Sequence, residues 1–362
     1  MKKILYDNQM FTFQRFGGVT RYFADLMYNL PADEFVSEMP MRYCENYYVT
    51  ETYGHKYDKF SFPDNYRIRR QLYALVNKKI SKLAIKNNDY DIFHPTYFSP
   101  YFLKILKKRQ KPFVLTIHDM TFERYPQDVL IYDMTIPHKK RLIAEADHII
   151  AVSENTKKDI IELLGTDSAK ISVVHHGYRS VTNPAPQLFD KYILYVGERK
   201  GYKNFLPWLS AIRPLLARDP KVKIVCTGNA FSKAELSLFN KWDIADRLVH
   251  VSANDAQLAS LYKHALCFVF PSLYEGFGIP ILEAFNNGCT VCLSEASCFP
   301  EVAGDAALYF NPNDAQSMYD ALKELLDSAT LRDELRHKGL VRGGEFTLER
   351  MVEKTCDVYR KM

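Results

Sequence analysis

Short apolar runs that end in polar residues alternate with helix-forming segments along most of this chain, and that order restricts the fold more than any single motif does. "KKILYD" reads as a strand, followed by a glycine-bearing loop and the helix "TRYFADLMYNL". "DIFHPT" and "PFVLTIHD" are further strands with polar ends, and "KKRLIAEADHIIAVS" runs from helix into strand. "ENTKKDIIELLG" is a helix with Ser153 or Asn155 as its N-cap and Gly165 at its end. Such alternation predicts parallel sheets covered by helices on both faces. It lapses once, in the proline-bearing "YRSVTNPAPQLFDK", and resumes at "YILYVGER". A chain of 362 residues is long for one core. The expectation is therefore α/β, with two doubly wound Rossmann-like domains, 1–183 and 184–345, and an interdomain cleft. A closing helix, 346–362, is expected to pack back on the first domain. Ligands of such sheets sit beyond the carboxyl ends of the strands.

Several classes drop out. No run of eighteen apolar residues exists to span a membrane. The opening "MKKILYDNQMFTF" meets Asp7 before a long apolar stretch develops, so it reads as a first strand of a cytoplasmic protein and not as a signal peptide. The seven cysteines include a C-x-x-C, Cys289 and Cys292, with only Cys298 close by. Three nearby thiols fall short of a structural zinc site, so free buried thiols are expected.

The stretch "FPSLYEGFGIPILEAFNNG" carries the chemistry. Its apolar strand gives way to a helix with Pro280 in the first turn, where a missing N–H is harmless. Gly276 and Gly278 let backbone amides approach a ligand, and the helix start suits a phosphate. Glu275 precedes that anion site and Glu283 lies about one turn into the helix. Carboxylates beside a phosphate site are wasteful unless hydroxyls donate to them, so the expected ligand carries both diphosphate and sugar rings. "YVGERKGYKNF" adds Arg199 and Lys203 past another strand end, as phosphate-binding cations. Gly17 and Gly18 open a further helix, and His118 and Asp119 follow the strand of "LTIHD".

The net charge of +5 is unevenly spread, with fourteen Lys/Arg against four Asp/Glu from Lys56 to Lys111. Aromatics lie among them, including Phe60, Phe62, Tyr66, Tyr73, Tyr97, Tyr101 and Phe102. The segment "YRIRRQLYALVNKKISKLAIK" places Leu72, Leu75, Val76, Ile80, Leu83 and Ala84 at helical spacing, with Lys78, Lys79, Lys82 and Lys86 mostly on other faces. Two readings follow: a helix that buries this apolar stripe on its own domain, or a basic, aromatic surface for anionic lipid. No nucleic-acid motif accompanies the charge.

Taken together, these stretches resemble the retaining GT-B glycosyltransferases of family 4. The likeness is strongest from Tyr195 to Pro312, through "YVGERKGYKNF", "VFPSLYEGFGIPILEAF" and "PEVAGDAALYFNP". It continues in the first half through "FGGVTRYFADL", "TIHD" and "ADHIIAVSENTKKDI". The E-x7-E pair, Glu275 and Glu283, is its most specific element. The resemblance implies that Glu275 faces the donor sugar and its reaction centre and that Glu283 takes the ribose hydroxyls. It implies that Gly276, Phe277, Gly278 and Ile279 present backbone to sugar and phosphate, and that Arg199 and Lys203 neutralise the diphosphate. Gly17 and Gly18 match a loop over that diphosphate, and His118 matches a residue near the anomeric carbon. Two departures are the four-residue spacing of Arg199 and Lys203 and the "HHGY" of His175–Tyr178, where many members carry Asn-Gly.

What the resemblance implies for function is hexosyl transfer with retention, in surface-polysaccharide synthesis. The donor would be a nucleotide sugar, GDP-mannose ahead of a UDP-sugar, and the acceptor a glycan or polyprenyl-linked saccharide. The donor's base would be set by shape around Phe205 and Val251–Asn254. A nucleotide-sugar epimerase of the same fold is the rival enzyme, and a non-catalytic sugar-nucleotide binder is the rival outside enzymes. Asp89-x-Asp91 mimics a metal-binding D-x-D but reads as a helix-to-strand turn, so no metal or other cofactor is expected. Charge and aromatics add an expected partner, the anionic inner face of a membrane.

Overall fold

The computed structural model describes residues 1–59, 65–128, 134–179 and 184–362. Phe60, Phe62 and the 180–183 part of the linker lie outside the described residues, as does the side chain of Tyr66. The chain divides into two compact units, residues 1–177 with 348–362, and residues 178–347.

In the first unit, β1 (Lys2–Tyr6) lies between β2 (Phe35–Glu38) and β3 (Ile92–His94), and β5 (His148–Ala151) lies between β4 (Val114–Ile117) and β6 (Ile171–Val173). All these pairings are parallel, and a parallel bridge between Phe93 and Phe113 joins the two groups. Continuous apolar runs such as Val114–Ile117 are buried throughout, as strands covered on both faces must be. The closing helix Leu348–Lys361 belongs to this unit. Its Leu348, Met351, Val352, Thr355, Cys356 and Tyr359 recur at helical spacing and are buried. The Tyr359 hydroxyl then lies 2.8 Å from that of Tyr6 and 2.6 Å from His94 Nδ1, so the helix is tied by polar as well as apolar contacts.

The second unit holds one six-stranded parallel sheet. Its strands are β7 (Tyr192–Tyr195), β8 (Lys223–Cys226), β9 (Leu248–His250), β10 (Cys267–Phe270), β11 (Val291–Ser294) and β12 (Leu308–Phe310), in the order β12-β11-β10-β7-β8-β9. The reversal of winding falls between β7 and β10, where doubly wound sheets open a crevice. Trp208, Leu209 and Ile212 of helix Phe205–Arg218 pack with Ile193, Ile224 and Val269 of the sheet. The expected boundary at 183/184 moves to 177/178, because the Tyr178 N–H donates to the Phe346 carbonyl and pairs with Thr347, a strap within the second unit.

One expectation about packing is corrected. Helix Tyr66–Asn87 does not bury its leucine stripe: Leu72 and Leu83 are exposed, and Leu75 is 71% exposed. Its inward face is Tyr73, Asn77, Ser81 and Ile85. The cause is polar. Asn77 Oδ1 accepts the N–H groups of Arg42 and Tyr43, and its Nδ2 donates to the Tyr43 carbonyl and Thr12. Ser81 accepts from Asn8, and Tyr73 donates to Glu45. The chain beneath presents backbone groups that only polar side chains can satisfy.

All seven cysteines are buried and unbonded, and burial pushes every one of their thiols upward in pKa. They serve as small apolar residues.

Candidate active site

Two neighbouring strands of the second unit, β7 and β10, send out the loops that matter. The Leu273 N–H donates to the Tyr202 carbonyl at 2.7 Å and fastens one loop to the other. After β10 the chain turns at Gly278, whose φ of +89° favours glycine. A Cβ there would lie 3.0 Å from Ile281 Cδ1 and 3.2 Å from Phe299 Cε1. Helix Ile279–Asn286 starts at once, with Pro280 in its first turn. Glu275 sits ahead of this start. Its Oε1 accepts from Lys203 Nζ at 2.6 Å and from Ser272 Oγ at 2.7 Å. Both partners of the ion pair are more than four-fifths buried. Glu283 Oε2 accepts the Tyr262 hydroxyl at 3.0 Å. That phenol is buried, and burial together with the adjacent carboxylate raises its pKa well above the ordinary value. Tyr262 has no motif around it, and Ser272, though inside the stretch that begins at Phe270, carries no pattern that marks it as a partner of Glu275. Phe277 is buried with its ring 5.8 Å from that of Phe346, so this residue can offer only backbone to a ligand.

Two expected donor residues are placed otherwise. Arg199 is 8% exposed and does not stand free toward a diphosphate. Its Nε donates to Glu235 at 2.7 Å, and its Nη2 donates to the carbonyls of Asn229 and Ala230. Glu235 is itself fixed by the capping box that starts helix Lys233–Lys241. The Nη1 of Arg199 is buried without a hydrogen-bond partner in the structure, with the guanidinium 4.8 Å from the Phe231 ring centroid. Phe205 is wholly buried against Tyr195 and Trp208, so it cannot shape a base pocket. Val251 and Asn254 do border the end of β9. The Val251 N–H donates to the Cys226 carbonyl, and Asn254 caps helix Asp255–His264.

Of the expected residues of the first unit, His118 is enclosed by rings, and Gly17 and Gly18 start the helix that supplies two of them. Gly17 is the N-cap of helix Gly18–Asn29, and that helix sets Tyr22 and Phe23 edge-on against His118, at 5.0 and 5.9 Å between centroids. His176 stacks on His118 at 5.5 Å. His118 Nε2 is buried without a hydrogen-bond partner in the structure. Burial, then the neighbouring His94 and Lys139, lower the His118 pKa to about 3. The ring is therefore neutral at physiological pH and can act as a hydrogen-bond partner without adding charge. Lys139, buried with Glu123 at 2.9 Å, donates to the Asp119 carbonyl at 3.0 Å and holds the loop that carries His118. Asp89 and Asp91 are far from such a role: both bind Lys3, Asp89 at its Nζ and Asp91 at its backbone N–H, each at 2.8 Å.

Known proteins resemble both halves of the chain. The description "Glycosyltransferase Family 4" matches residues 16–179 and "Glycosyl transferases group 1" matches residues 183–341. The chain is 26% identical to O-antigen chain mannosyltransferase B of Escherichia coli, over 80% of this chain and 79% of that protein. It is 28% identical to phosphatidyl-myo-inositol mannosyltransferase of Mycolicibacterium smegmatis, over 75% and 71% respectively. Among solved structures, HepE of Anabaena in complex with UDP and glucose superposes with a TM-score of 0.76 at 15% identity, covering all of both chains. Sucrose-phosphate synthase of Thermosynechococcus elongatus superposes with a TM-score of 0.75 at 17% identity, over 100% of this chain and 99% of the other. These superpositions identify the fold as GT-B. Two family matches that together span residues 16–179 and 183–341, with a glycine-led helix start, a buried Lys–Glu pair and an E-x7-E spacing inside the second, show that the chain belongs to the family 4 glycosyltransferases.

Proposed function

We propose that this enzyme transfers mannose, with retention, from GDP-mannose to a lipid-linked glycan acceptor at an anionic membrane surface. The observation that carries the donor half is the ion pair of Lys203 and Glu275 beside the helix start at Gly278. A nucleoside diphosphate sugar offers each member of the pair a second partner: phosphate oxygens for the ammonium and sugar hydroxyls for the carboxylate. Lys203 and the helix start then face the charge that develops on the leaving group. In the transfer step the bond from anomeric carbon to phosphate oxygen breaks. The acceptor oxygen bonds to that carbon on the same face, and its proton passes to the departing phosphate. Within the first unit, neutral His118 can offer a hydrogen bond without adding charge. Glu283, steadied by Tyr262, takes the ribose hydroxyls.

The choice of mannose and of a surface glycan is supported by the names of the similar proteins, mannosyltransferases of O-antigen and of phosphatidyl-myo-inositol. The membrane is supported by the outward leucines of helix Tyr66–Asn87, which carries seven Lys/Arg and no acid. A panel of nucleotide sugars tests the donor. GDP-mannose at a hundred times its Kd stabilises the fold by about 2.7 kcal/mol, and competing donors protect less. NMR of the product on an added acceptor reads the anomeric configuration. Release of free sugar without acceptor would instead make the enzyme an epimerase.

A further inference from the structure

The second unit holds a cavity of about 710 Å3 to which none of the donor-loop residues contributes. Helix Phe205–Arg218 begins beyond the carboxyl end of β7 and runs back toward the amino end of β8. Its last turns, with the turn that follows helix Lys233–Lys241, form the walls. The cavity is therefore at the opposite end of the sheet from Lys203 and Glu275. Its volume falls within the roughly 300–1,000 Å3 of small-molecule pockets.

The lining groups are incompletely satisfied. Arg247 is 9% exposed, and its two terminal nitrogens are spent on the carbonyls of Leu216, Asp219 and Val222. Its Nε is buried with no hydrogen-bond partner in the structure. Arg213 holds its guanidinium 5.2 Å from the Trp242 ring centroid. Neither Asp243 nor Asp246, both at the cavity, makes an ion pair with it among the described residues. Pro214 lacks an N–H, so the Ser210 carbonyl at the rim loses its usual i+4 donor.

Two guanidinium groups and two carboxylates cancel. A phosphate would meet the aspartates and a cation would meet the arginines, so neither is favoured. The ligand that fits is neutral, rich in groups that both donate and accept, and partly apolar. Hydroxyls would donate to Asp243, Asp246 and the Ser210 carbonyl and accept from Arg213, while C–H faces rest on Trp242 and Pro214. We propose that this cavity is an accessory saccharide-binding site. In an enzyme that elongates a glycan, a reading on which only the ligand's source rests, it would hold a stretch of the polymer away from the reacting end.

Intrinsic fluorescence tests the site, because the chain has two tryptophans and the other, Trp208, is wholly buried. The full chain is titrated with manno-, malto- and cello-oligosaccharides, with inorganic phosphate as a control, and binding is checked by calorimetry. One oligosaccharide series should give a saturable change that Trp242→Phe removes. Arg213→Ala, at a half-buried position, and Asp243→Asn, at an exposed one, should each weaken its binding at least about tenfold, or 1.4 kcal/mol. Affinity for a nucleoside diphosphate should stay unchanged in both variants. No saturable response at millimolar saccharide, a response to phosphate instead, or saccharide binding indifferent to both substitutions would each overturn the site. None of these results bears on Lys203 and Glu275, whose own failure would appear as lost nucleotide binding.

Discussion

Lys203 Nζ stands 2.6 Å from Glu275 Oε1, so the cation expected at the diphosphate and the acid expected at the sugar neutralise each other. Breaking a buried pair by removing one member leaves the other charge uncompensated. Lys203→Ala and Glu275→Gln should therefore each lower stability, and the double variant should lose less than the sum of the two. Turnover separates the roles. Glu275→Gln should cost at least about a hundredfold in kcat, the scale of losing a preorganised electrostatic partner. Lys203→Ala should weaken nucleoside diphosphate binding as well. Thermal denaturation of the four proteins with steady-state kinetics checks both, and additive stabilities with normal turnover would refute the assignment.

Glu283 should behave differently, since it is placed for binding more than for chemistry. Glu283→Gln should weaken donor affinity by about 1–3 kcal/mol, the range for a hydrogen bond to a charged group. Tyr262→Phe should weaken it by about 0.5–1.5 kcal/mol, the worth of an ordinary hydrogen bond. Nucleotide titration by calorimetry measures both, and kcat at saturating donor should change little.

Elements with long apolar runs were legible in the sequence, and so was the donor loop, because Glu275, Gly278, Pro280 and Glu283 form a local pattern. The edge strands β2 and β12 were not, although the edge strands β6 and β9 were. β2 is four residues long with half-buried positions and only Phe35 and Val36 apolar, and β12 is three residues long, its apolar run hidden in a loop-like context of Gly304, Asp305 and Pro312. Arg199 was legible as a cation but not as one caged by Glu235, a residue 36 positions away whose approach depends on the tertiary fold. Helix Tyr66–Asn87 misled for a related reason. Periodicity shows which side chains share a face, but not whether the chain beneath offers carbon or unsatisfied backbone.

The buried histidines give stability a direction in pH. His94 and His118 are each lowered to about 3, chiefly by burial, against an ordinary value near 6.5. Between those values the unfolded chain binds protons that the folded chain does not, so stability falls as pH drops below about 6.5. Each such group contributes up to about 1.4 kcal/mol per pH unit. The thermal midpoint should decline from pH 7 to pH 5, and less steeply in His94→Gln. A midpoint independent of pH over that range in the wild type would contradict neutral burial.

We expect activity to persist in EDTA. Asp89 and Asp91 are spent on Lys3, ahead of β3 and away from the carboxyl ends of the strands. Asp89→Asn and Asp91→Asn should keep full turnover. Asp91→Asn should cost about 1 kcal/mol of stability through its bond to the Lys3 N–H. Loss of activity in EDTA with recovery in manganese would return this pair to consideration.

The last prediction concerns the outward face of helix Tyr66–Asn87. Ile68, Leu72, Leu75 and Leu83 are solvent-exposed there, and Phe13 and Phe16 are exposed on the same unit. Arg70 links the two, donating to the Phe13 carbonyl with its guanidinium 5.9 Å from that ring. Lys78, Lys79 and Lys86 are exposed beside the leucines, where long stems let charge reach headgroups while carbon stays in the interface. Each cation near an anionic surface contributes roughly 1 kcal/mol, and buried leucine side chains add an apolar part that salt does not screen. Binding to anionic liposomes should therefore rise with the anionic fraction and fall only partly with salt. Lys78, Lys79 and Lys82 changed together to Glu should remove the salt-sensitive part. Leu75→Ser with Leu83→Ser should remove the rest and cost little stability, because these two side chains are 71% and 50% exposed. Co-sedimentation measures each arm. A wild type that ignores anionic liposomes at low salt would make this an ordinary basic face and leave the transferase site untouched.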